Sequence, residues 1–321
     1  MAGGQERVLR RRIKSVQSTK KITKAMELIA ASRILKAQQR VAAARPYSER
    51  ITEVIGNLAA AGAGGDSPLL QTREQVGTVG FIVISGDRGL AGGYNSNVIR
   101  LAERALQAEQ VRGRRTGLIT VGRKAHSYFR FRGYDIDEAF EGFSDAPSYE
   151  DARAVARAAS ERFETGQYDQ VRLAYTRFLS IGTQRPVDDT FLPLDRERVG
   201  GRERAEGPTA DYEFEPNPGE ILDRLLPRYA EARLYAALLE GSASFFAAQQ
   251  RAMKSATDNA EDLITKLSRI MNRARQDSIT TEIMEIVGGA EALRQGAGHE
   301  DLLVDQRGSS DDLLPDTFAT R

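Results

Sequence analysis

The stretch LEGSASFFAAQQRAMKSATDNAEDLITKLSRIMNRAR (239–275) decides the fold of this chain of 321 residues. It contains no proline, and its apolar residues recur at alternating steps of three and four, the period of a left-handed coiled coil. The same period extends in both directions and predicts one helix from about 219 to 293. We call the positions at this spacing the C-terminal seam: Leu225, Tyr229, Ala232, Ala236, Leu239, Ala243, Phe246, Gln250, Met253, Thr257, Ala260, Ile264, Leu267, Met271, Ala274 and Ser278.

A second long helix is predicted at the other end of the chain, over residues 1–60. Apolar or small residues follow the same steps at Ile34, Ala37, Val41, Ala44, Ser48, Ile51, Ile55 and Leu58. Upstream the pattern is less regular, through Leu9, Ile13, Val16, Ile22, Met26 and Ile29. Pro46 is expected to kink or divide this helix, because it removes a backbone donor and clashes with the preceding turn.

Both helices are too long to pack only on a small domain. At about 1.5 Å per residue they would span roughly 80 Å and 110 Å. They must therefore pack on each other, as a coiled coil, or on a partner. Pro46 and Pro227 leave one alternative open, a set of shorter helices in an ordinary bundle.

Between the helices, residues 75–195 predict a small Rossmann-like α/β domain. Strands are predicted at 78–84, 117–121, 170–179 and 186–194, and helices at 95–110, 123–131 and 148–165, the last with a capping box of Ser148 and Asp151. This alternation predicts a mostly parallel sheet and an α/β fold class. Residues 196–218 are predicted to form a polar loop. Residues 294–321 are predicted to be a tail that is too polar to fold alone, and we expect this tail to be disordered.

Composition argues against several classes of function. The chain has no Cys and two His, far apart in sequence, so thiol catalysis and thiolate zinc sites are excluded and a metal centre is not expected. The N-terminus has no apolar signal-peptide region, and the longest strongly apolar run, 81–84, is far too short to span a membrane. We expect a soluble or peripheral protein.

The loop SGDRGLAGGYN (85–95) is the only feature typical of an enzyme. Glycine-rich loops between a strand and a helix can hold phosphates on backbone N–H groups. These glycines do not fit G-x-G-x-x-G, however, and no Gly-Lys-Ser/Thr follows. Ser85 lacks the frame of a nucleophile elbow, and two distant His provide no triad. We interpret the loop as a tight strand-to-helix connection and expect no catalytic, cofactor or metal site.

The N-terminal segment is strongly basic. Residues 1–40 contain eleven Lys or Arg against Glu6 and Glu27. This excess favours an acidic partner, which can be nucleic acid, anionic lipid or an acidic protein surface. Nucleic acid is disfavoured, because no aromatic residue precedes Tyr47. The other unusual segment is ITTEIMEIVGGAEA (279–292), which by itself is a charged final stretch of helix.

Four motifs together resemble the γ subunits of F-type ATP synthases: RRIKSVQSTKKITKAMELIAASRI (11–34), VISGDRGLAGGYN (83–95), AMKSATDNA (252–260) and ITTEIMEIVGGAEA (279–292). The likeness runs from about Gln5 to Leu293. It implies a long antiparallel coiled coil of the terminal helices, and the role of the central rotor stalk. That stalk couples proton translocation through the membrane sector to ATP synthesis and hydrolysis in the α3β3 hexamer.

The resemblance also implies partners and a location. The partners are the α and β subunits, the ε subunit and the c-ring, without nucleic acid and without membrane insertion. The implied location is the cytoplasmic side of a bacterial cell membrane, where the chain would be a peripheral subunit. No cofactor and no catalytic site of its own are implied.

Two contact surfaces follow from the same resemblance. Lys20, Lys21, Lys24 and Met26 would face acidic loops of the β subunits, and Arg275, Gln276, Thr280, Glu282 and Glu285 would line the upper bearing. The chain departs from the family where Gln249 and Gln250 replace a common Arg-Met pair, which puts an ion pair there in doubt, although Arg251 is adjacent. It also continues beyond the point where many members end.

Two other functions remain as alternatives. One is a nucleotide-binding α/β enzyme with helical arms, which micromolar binding of ATP or NAD by the purified chain would indicate. The other is a coiled-coil scaffold for nucleic acid, which DNA binding that survives competition by acidic protein would indicate.

Overall fold

A computed structural model describes the backbone of residues 2–60, 67–194 and 217–304, and the side chains of residues 5–58, 67–194 and 217–294. The chain forms two compact units. The smaller contains residues 1–20 and 258–321, and the larger contains residues 21–257.

Long helices stand at both ends of the chain, and an α/β pattern lies between them. In chain order the elements are α1 (Ala2–Ala60), a 3-10 helix (Pro68–Leu70), β1 (Thr78–Ile84), α2 (Tyr94–Val111), β2 (Arg115–Val121), α3 (Arg123–Phe131), β3 (Glu138–Phe140), α4 (Tyr149–Glu164), β4 (Gln170–Phe178), β5 (Gln184–Leu192) and α5 (Pro218–Val304). The predicted capping box at the start of α4 is present, with both Ser148–Asp151 hydrogen bonds formed.

The larger unit contains one five-stranded sheet in the order β3-β2-β1-β4-β5. The pairs β1–β2, β1–β4 and β2–β3 are parallel, and β4–β5 is an antiparallel hairpin. The predicted α/β class with a mostly parallel sheet is therefore confirmed. Sequence reasoning missed β3, because three residues that are not fully buried give no readable alternation.

Tyr168 explains two glycines inside the strands. Gly80 of β1 lies beside Gly117 of β2, and the buried ring of Tyr168 covers both. A Cβ atom at Gly80 would lie 2.4 Å from that ring, and one at Gly117 would lie 2.3 Å from it. The phenol donates a 2.7 Å hydrogen bond to Asp137 Oδ2, which fixes the ring in this position.

Each face of the sheet is covered by helices. Val79, Phe81 and Val83 form a core with α2 and α3 on one face. Ile82 and Ile84 point to the other face, where the core includes α4 and residues of both long helices. From α1 this second core receives Ile51, Ile55 and Leu58, and from α5 it receives Leu222, Leu226, Ala230, Leu234 and Leu238.

Within the larger unit, α1 and α5 pair in antiparallel directions. Thr23 contacts Thr257, and the guanidinium of Arg33 lies 5.4 Å from the ring centre of Phe246. Further along α1, residues 51–58 share a core with the beginning of α5. As the residue number rises in α1, its partner's number falls in α5. In the smaller unit, Lys20 pairs with Glu261 at 3.1 Å.

The C-terminal seam is confirmed, because each of its positions is buried or half-buried in both units. The predicted N-terminal stripe is confirmed from Ile34 to Leu58 but partly wrong upstream. Ile22 and Ile29 are 59% and 54% exposed, and the strict heptad passes instead through Lys20, Thr23, Glu27 and Ala30. Polar residues can occupy this seam because they have partners, such as Thr257 for Thr23 and Lys24 for Glu27.

Two predictions about the long helices differ from the structure: the effect of Pro46 on α1 and the end of α5. Pro46 does not divide α1, because its ring lies on an exposed face and only one backbone hydrogen bond is removed. Helix α5 continues past residue 293 to Val304, since Gly288 and Gly289 cost only about 1 kcal/mol each and no proline follows there. The predicted loop at 196–218, except for its last two residues, and the part of the predicted tail after Val304 lie outside the described residues.

Candidate functional site

The basic residues singled out in the sequence lie on α1. Lys21 is exposed, and Lys24 is 55% exposed in its side chain while pairing with Glu27 at 3.1 Å. Met26, in the same unit, is half-buried. Lys20 belongs to the smaller unit, where its ammonium group pairs with Glu261. Lys21 therefore presents positive charge to solvent, whereas the charges of Lys24 and Lys20 are partly neutralised by Glu27 and Glu261.

The second predicted surface lies near the end of α5, in the smaller unit. Arg275, Gln276, Thr280, Glu282 and Glu285 are all exposed. The Thr280 hydroxyl donates to the carbonyl of Gln276 at 3.0 Å, the ordinary bond of a threonine inside a helix. These side chains therefore lie on several faces of the helix. After Ser278, every described side chain of α5 is exposed.

Sequence reasoning missed the apolar residues of this segment. The exposed segment, residues 279–294, carries six large apolar side chains that are between 45% and 77% exposed: Ile279, Ile283, Met284, Ile286, Val287 and Leu293. Contiguous exposed apolar surface of this kind marks an interaction site. The spacing of Ile279, Ile283, Ile286 and Val287 is an amphipathic signal that could have identified it from sequence.

The glycine-rich loop after β1 is built around Asp87. Its Oδ2 accepts hydrogen bonds from the backbone N–H groups of Gly142 and Ser144 at 3.0 and 3.1 Å and from the Ser144 hydroxyl at 2.8 Å, and its Oδ1 accepts from the N–H of Arg123 at 3.1 Å. Burial by itself would raise the pKa of the Asp87 carboxyl, but these hydrogen bonds outweigh it and the net pKa is lowered. Asp87 thus ties the loop to the neighbouring connections.

Ser85 has a structural role. It is 1% exposed, and its hydroxyl donates to the carbonyl of Val121 at 3.1 Å and accepts from the N–H of Ala125 at 2.9 Å. These bonds join the end of β1 to the beginning of α3. A serine so buried and so fully bonded has no access to a substrate, which agrees with the interpretation of the loop as a connection.

Among the residues that the structure describes, no three His, Asp or Glu side chains come together in a group that could hold a metal ion. None of the helices in that part of the chain has the length and hydropathy needed to cross a bilayer.

Comparison with known proteins identifies relatives along nearly the whole chain. The family model described as ATP synthase matches residues 5–293. The ATP synthase gamma chain of Frankia casuarinae is 53% identical over 297 residues, which cover 91% of this chain and 99% of the relative. That of Streptomyces avermitilis is 45% identical over 306 residues, covering 93% and 99%.

Solved structures support the fold. A chain of the Euglena gracilis mitochondrial ATP synthase aligns with a TM-score of 0.63 at 18% identity, covering 92% of this chain and 96% of its own length. A chain from the central stalk and c-ring of the Tetrahymena thermophila mitochondrial ATP synthase gives a TM-score of 0.56 at 24% identity, covering 73% and 99%. At these identities the likeness demonstrates a common architecture.

Proposed function

The chain belongs to the family of ATP synthase gamma chains, and we propose on that premise that it is the central rotor stalk of a bacterial F-type ATP synthase. In this role it couples proton translocation through the membrane sector to ATP synthesis and hydrolysis in the α3β3 hexamer. The observation that carries the proposal is the family match over residues 5–293, together with the antiparallel pairing of α1 and α5.

The two long helices suit a shaft. Their seam residues recur at heptad spacing and are mostly buried or half-buried, a pattern that favours close pairing of two helices. Outside residues 279–294, most exposed positions of the two helices carry polar or small side chains, which would let the surface slide past a partner. Because the two helices differ in sequence, each direction around the shaft presents a different surface to a surrounding ring.

Such asymmetry can drive a rotary mechanism without chemistry on the shaft. A catalytic site that contacts one side of the shaft is stabilised in one conformation, and a site on another side is stabilised in a different one. Rotation then shifts the conformational equilibrium of each site in turn, through differences in contact free energy. The chain itself would contribute no catalytic residue, cofactor or metal.

The contact residues are part of the proposal. Lys20, Lys21, Lys24 and Met26 would meet acidic loops of the β subunits, where the exposed ammonium groups of Lys21 and Lys24 supply the charge. Arg275, Gln276, Thr280, Glu282 and Glu285 would meet the upper bearing, and the exposed apolar residues of 279–294 would add to that contact.

The proposed partners are the α and β subunits on one side and the ε subunit and the c-ring on the other. The proposed place is the cytoplasmic face of the bacterial cell membrane, to which the chain would be held by these partners. The absence of a membrane-spanning helix among the described residues is compatible with that attachment.

Affinity purification from native membranes tests the proposal. The chain carrying an affinity tag should retain the α, β and ε subunits and the c-ring in a complex that hydrolyses ATP. A matched strain with the same tag on an unrelated cytosolic protein controls for carry-over. Recovery of the tagged chain alone, with ATPase activity left in the unbound fraction, would contradict the assignment.

A further inference from the structure

Helices α2 and α3 end beside each other at one edge of the α/β domain. Both cover the same face of the sheet, where they share a core with β1 and β2. Each helix returns the chain from the carboxyl end of one strand to the amino end of the next parallel strand, so both helices end at the amino edge of the sheet. The two ends are joined by hydrogen bonds, from Arg132 to Glu103 at 3.2 Å and from Gln107 to Tyr134 at 3.4 Å.

The two helix ends have the same backbone conformation. Each ends at a glycine with a positive φ, Gly113 at 80° and Gly133 at 78°. The residue after each glycine donates its N–H to a carbonyl five positions earlier, at 3.1 Å in Arg114 and at 3.0 Å in Tyr134. This is the Schellman arrangement, which fixes the end of a helix in one conformation. We call residues 111–114 and 130–133 the two helix tips.

Each helix tip exposes one large apolar side chain. Val111 is 89% exposed and Phe131 is 88% exposed, and no other large apolar residue in the described part of the chain reaches these values. A Cβ atom added at Gly113 or Gly133 would have no neighbour within 4 Å, so both tips project into open space. A single exposed apolar side chain is common on protein surfaces, but two at adjacent, fixed helix ends form a common feature of this edge.

Arginines flank both apolar side chains. Each helix tip contains two arginines and no acidic residue: Arg112 and Arg114 in the first tip, and Arg130 and Arg132 in the second. Two largely buried carboxylates of α2, Glu109 and Glu103, pair with three of these arginines. Arg130 is exposed and forms no ion pair with another described residue. Four arginines against two carboxylates leave an excess of positive charge around Val111 and Phe131.

This combination is complementary to the surface of an anionic membrane. Guanidinium groups bind phosphate oxygens in pairs, and the negative potential of anionic lipids attracts basic residues. An apolar side chain between them can enter the boundary of headgroups and acyl chains. The helix dipole would account for arginines at a helix end, but not for the apolar side chains that they flank. Nucleic acid would leave Val111 in water, because Val111 has no ring that could stack on a base.

We propose that the two helix tips contact the headgroup layer of anionic phospholipids. The arginines bind lipid phosphates, and Val111 and Phe131 enter the membrane–water interface between them. The chain lies against the bilayer at this edge and does not cross it. This inference goes beyond the rotor role and does not depend on it, because it uses only described residues of the α/β domain.

Tryptophan fluorescence of the purified full-length chain tests the contact, because the sequence contains no tryptophan of its own. Vesicles of phosphatidylcholine and phosphatidylglycerol in equal parts should shift the emission of Phe131→Trp to shorter wavelength, and brominated acyl chains in the same vesicles should quench it. Vesicles of phosphatidylcholine alone should cause neither change. Leu179→Trp is the matched control, because Leu179 is an exposed apolar residue that follows β4 at the opposite edge of the sheet, and its emission should stay the same.

Removal of one charge tests the role of the arginines. In the Phe131→Trp background, Arg130→Gln should weaken the affinity for the anionic vesicles about fivefold, roughly the contribution of one arginine near such a surface. Arg185→Gln, which removes an exposed arginine of β5, should leave the affinity unchanged. Circular dichroism of each variant checks that it is folded.

Four results would overturn the proposal. The chain could fail to bind the anionic vesicles, or it could sediment with them while the emission of Phe131→Trp is not quenched, which would assign the binding to another basic surface such as α1. Arg130→Gln and Arg185→Gln could bind alike. Finally, a DNA duplex could change the emission with the same dependence on Arg130 while vesicles do not, which would assign the helix tips to nucleic acid.

Discussion

The side-chain oxygens of Thr23 and Thr257 lie 2.8 Å apart in the seam between α1 and α5, and both residues are buried. They are 234 positions apart in the sequence, so the contact directly reports how the two ends of the chain meet. The Thr257 hydroxyl also contacts the carbonyl of Met253 at 2.9 Å. A polar pair in an otherwise mostly apolar seam favours one register over others, because a shift would separate the two hydroxyls and place them against apolar side chains.

Replacing these threonines by valine should expose their coupling. Thr23→Val or Thr257→Val alone should lower the free energy of unfolding by about 1 kcal/mol, because one hydroxyl loses its buried partner. The double variant should lose less than the sum, with a coupling of about 0.5–1.5 kcal/mol in a double-mutant cycle measured by urea denaturation. Thr265→Val, at an exposed helical position, is the matched control. Strict additivity would show that the two hydroxyls act independently.

Disulfide formation tests the direction of the helix pair. The chain has no cysteine, so each engineered pair is free of competing thiols. Cysteines at positions 23 and 257 should form an intrachain disulfide in the assembled complex under mild oxidation, because the native side chains touch. Cysteines at 23 and 229, which a parallel arrangement would bring closer, should stay reduced on non-reducing gels. The opposite pattern would refute antiparallel pairing.

Asp87 should make stability depend on acid. The hydrogen bonds that it accepts lower its pKa in the folded state, so its contribution is present above the unfolded value of about 3.9 and is lost as the pH falls through the folded pKa. Asp87→Asn should therefore be destabilised at neutral pH, and its deficit relative to the native chain should shrink below about pH 4. Thermal unfolding at several pH values measures this. Asp135→Asn, at an exposed position, should show no such convergence.

Reversing the charge of Lys20, Lys21 and Lys24 to Glu should uncouple the motor. Like charges would then face the proposed acidic loops, at a contact that must change as the shaft turns. We expect the number of protons pumped per ATP to fall more than the rate of ATP hydrolysis, measured in inverted membrane vesicles. Reversal of Arg104, Arg115 and Arg185, exposed residues of the α/β domain, matches the change in charge. A proportional loss of both activities would indicate misassembly instead.

Two truncations distinguish the exposed segment, residues 279–294, from the residues that follow it. Deleting residues 295–321 should preserve assembly, hydrolysis and ATP-driven pumping, because the exposed apolar residues up to Leu293 remain. Deleting residues 277–321 should impair pumping, because it removes those apolar groups together with Thr280, Glu282 and Glu285. Loss of pumping in the shorter deletion alone would assign a working role to the final residues.

The sequence by itself predicted the helices, the α/β domain and most of the seam. These features depend on local periodicity, which a window of a few turns contains, and every position of the C-terminal seam from Leu225 to Ser278 is buried or half-buried as predicted. The capping box of Ser148 and Asp151 is equally local, because both partners lie within one turn. The candidate contact residues came from resemblance to the family, and their roles remain predictions.

Only the tertiary structure decided where the polar residues of the seam lie. Thr23 is buried and Ile22 is exposed, which reverses the order that hydrophobicity alone suggests. The burial of Thr23 is tolerated because Thr257 supplies a hydrogen-bond partner from the far end of the chain. A cavity of about 320 Å³ likewise draws its walls from the glycine loop, from β4 and β5, and from α5. Such contacts join residues that are far apart in sequence, so no local pattern contains them.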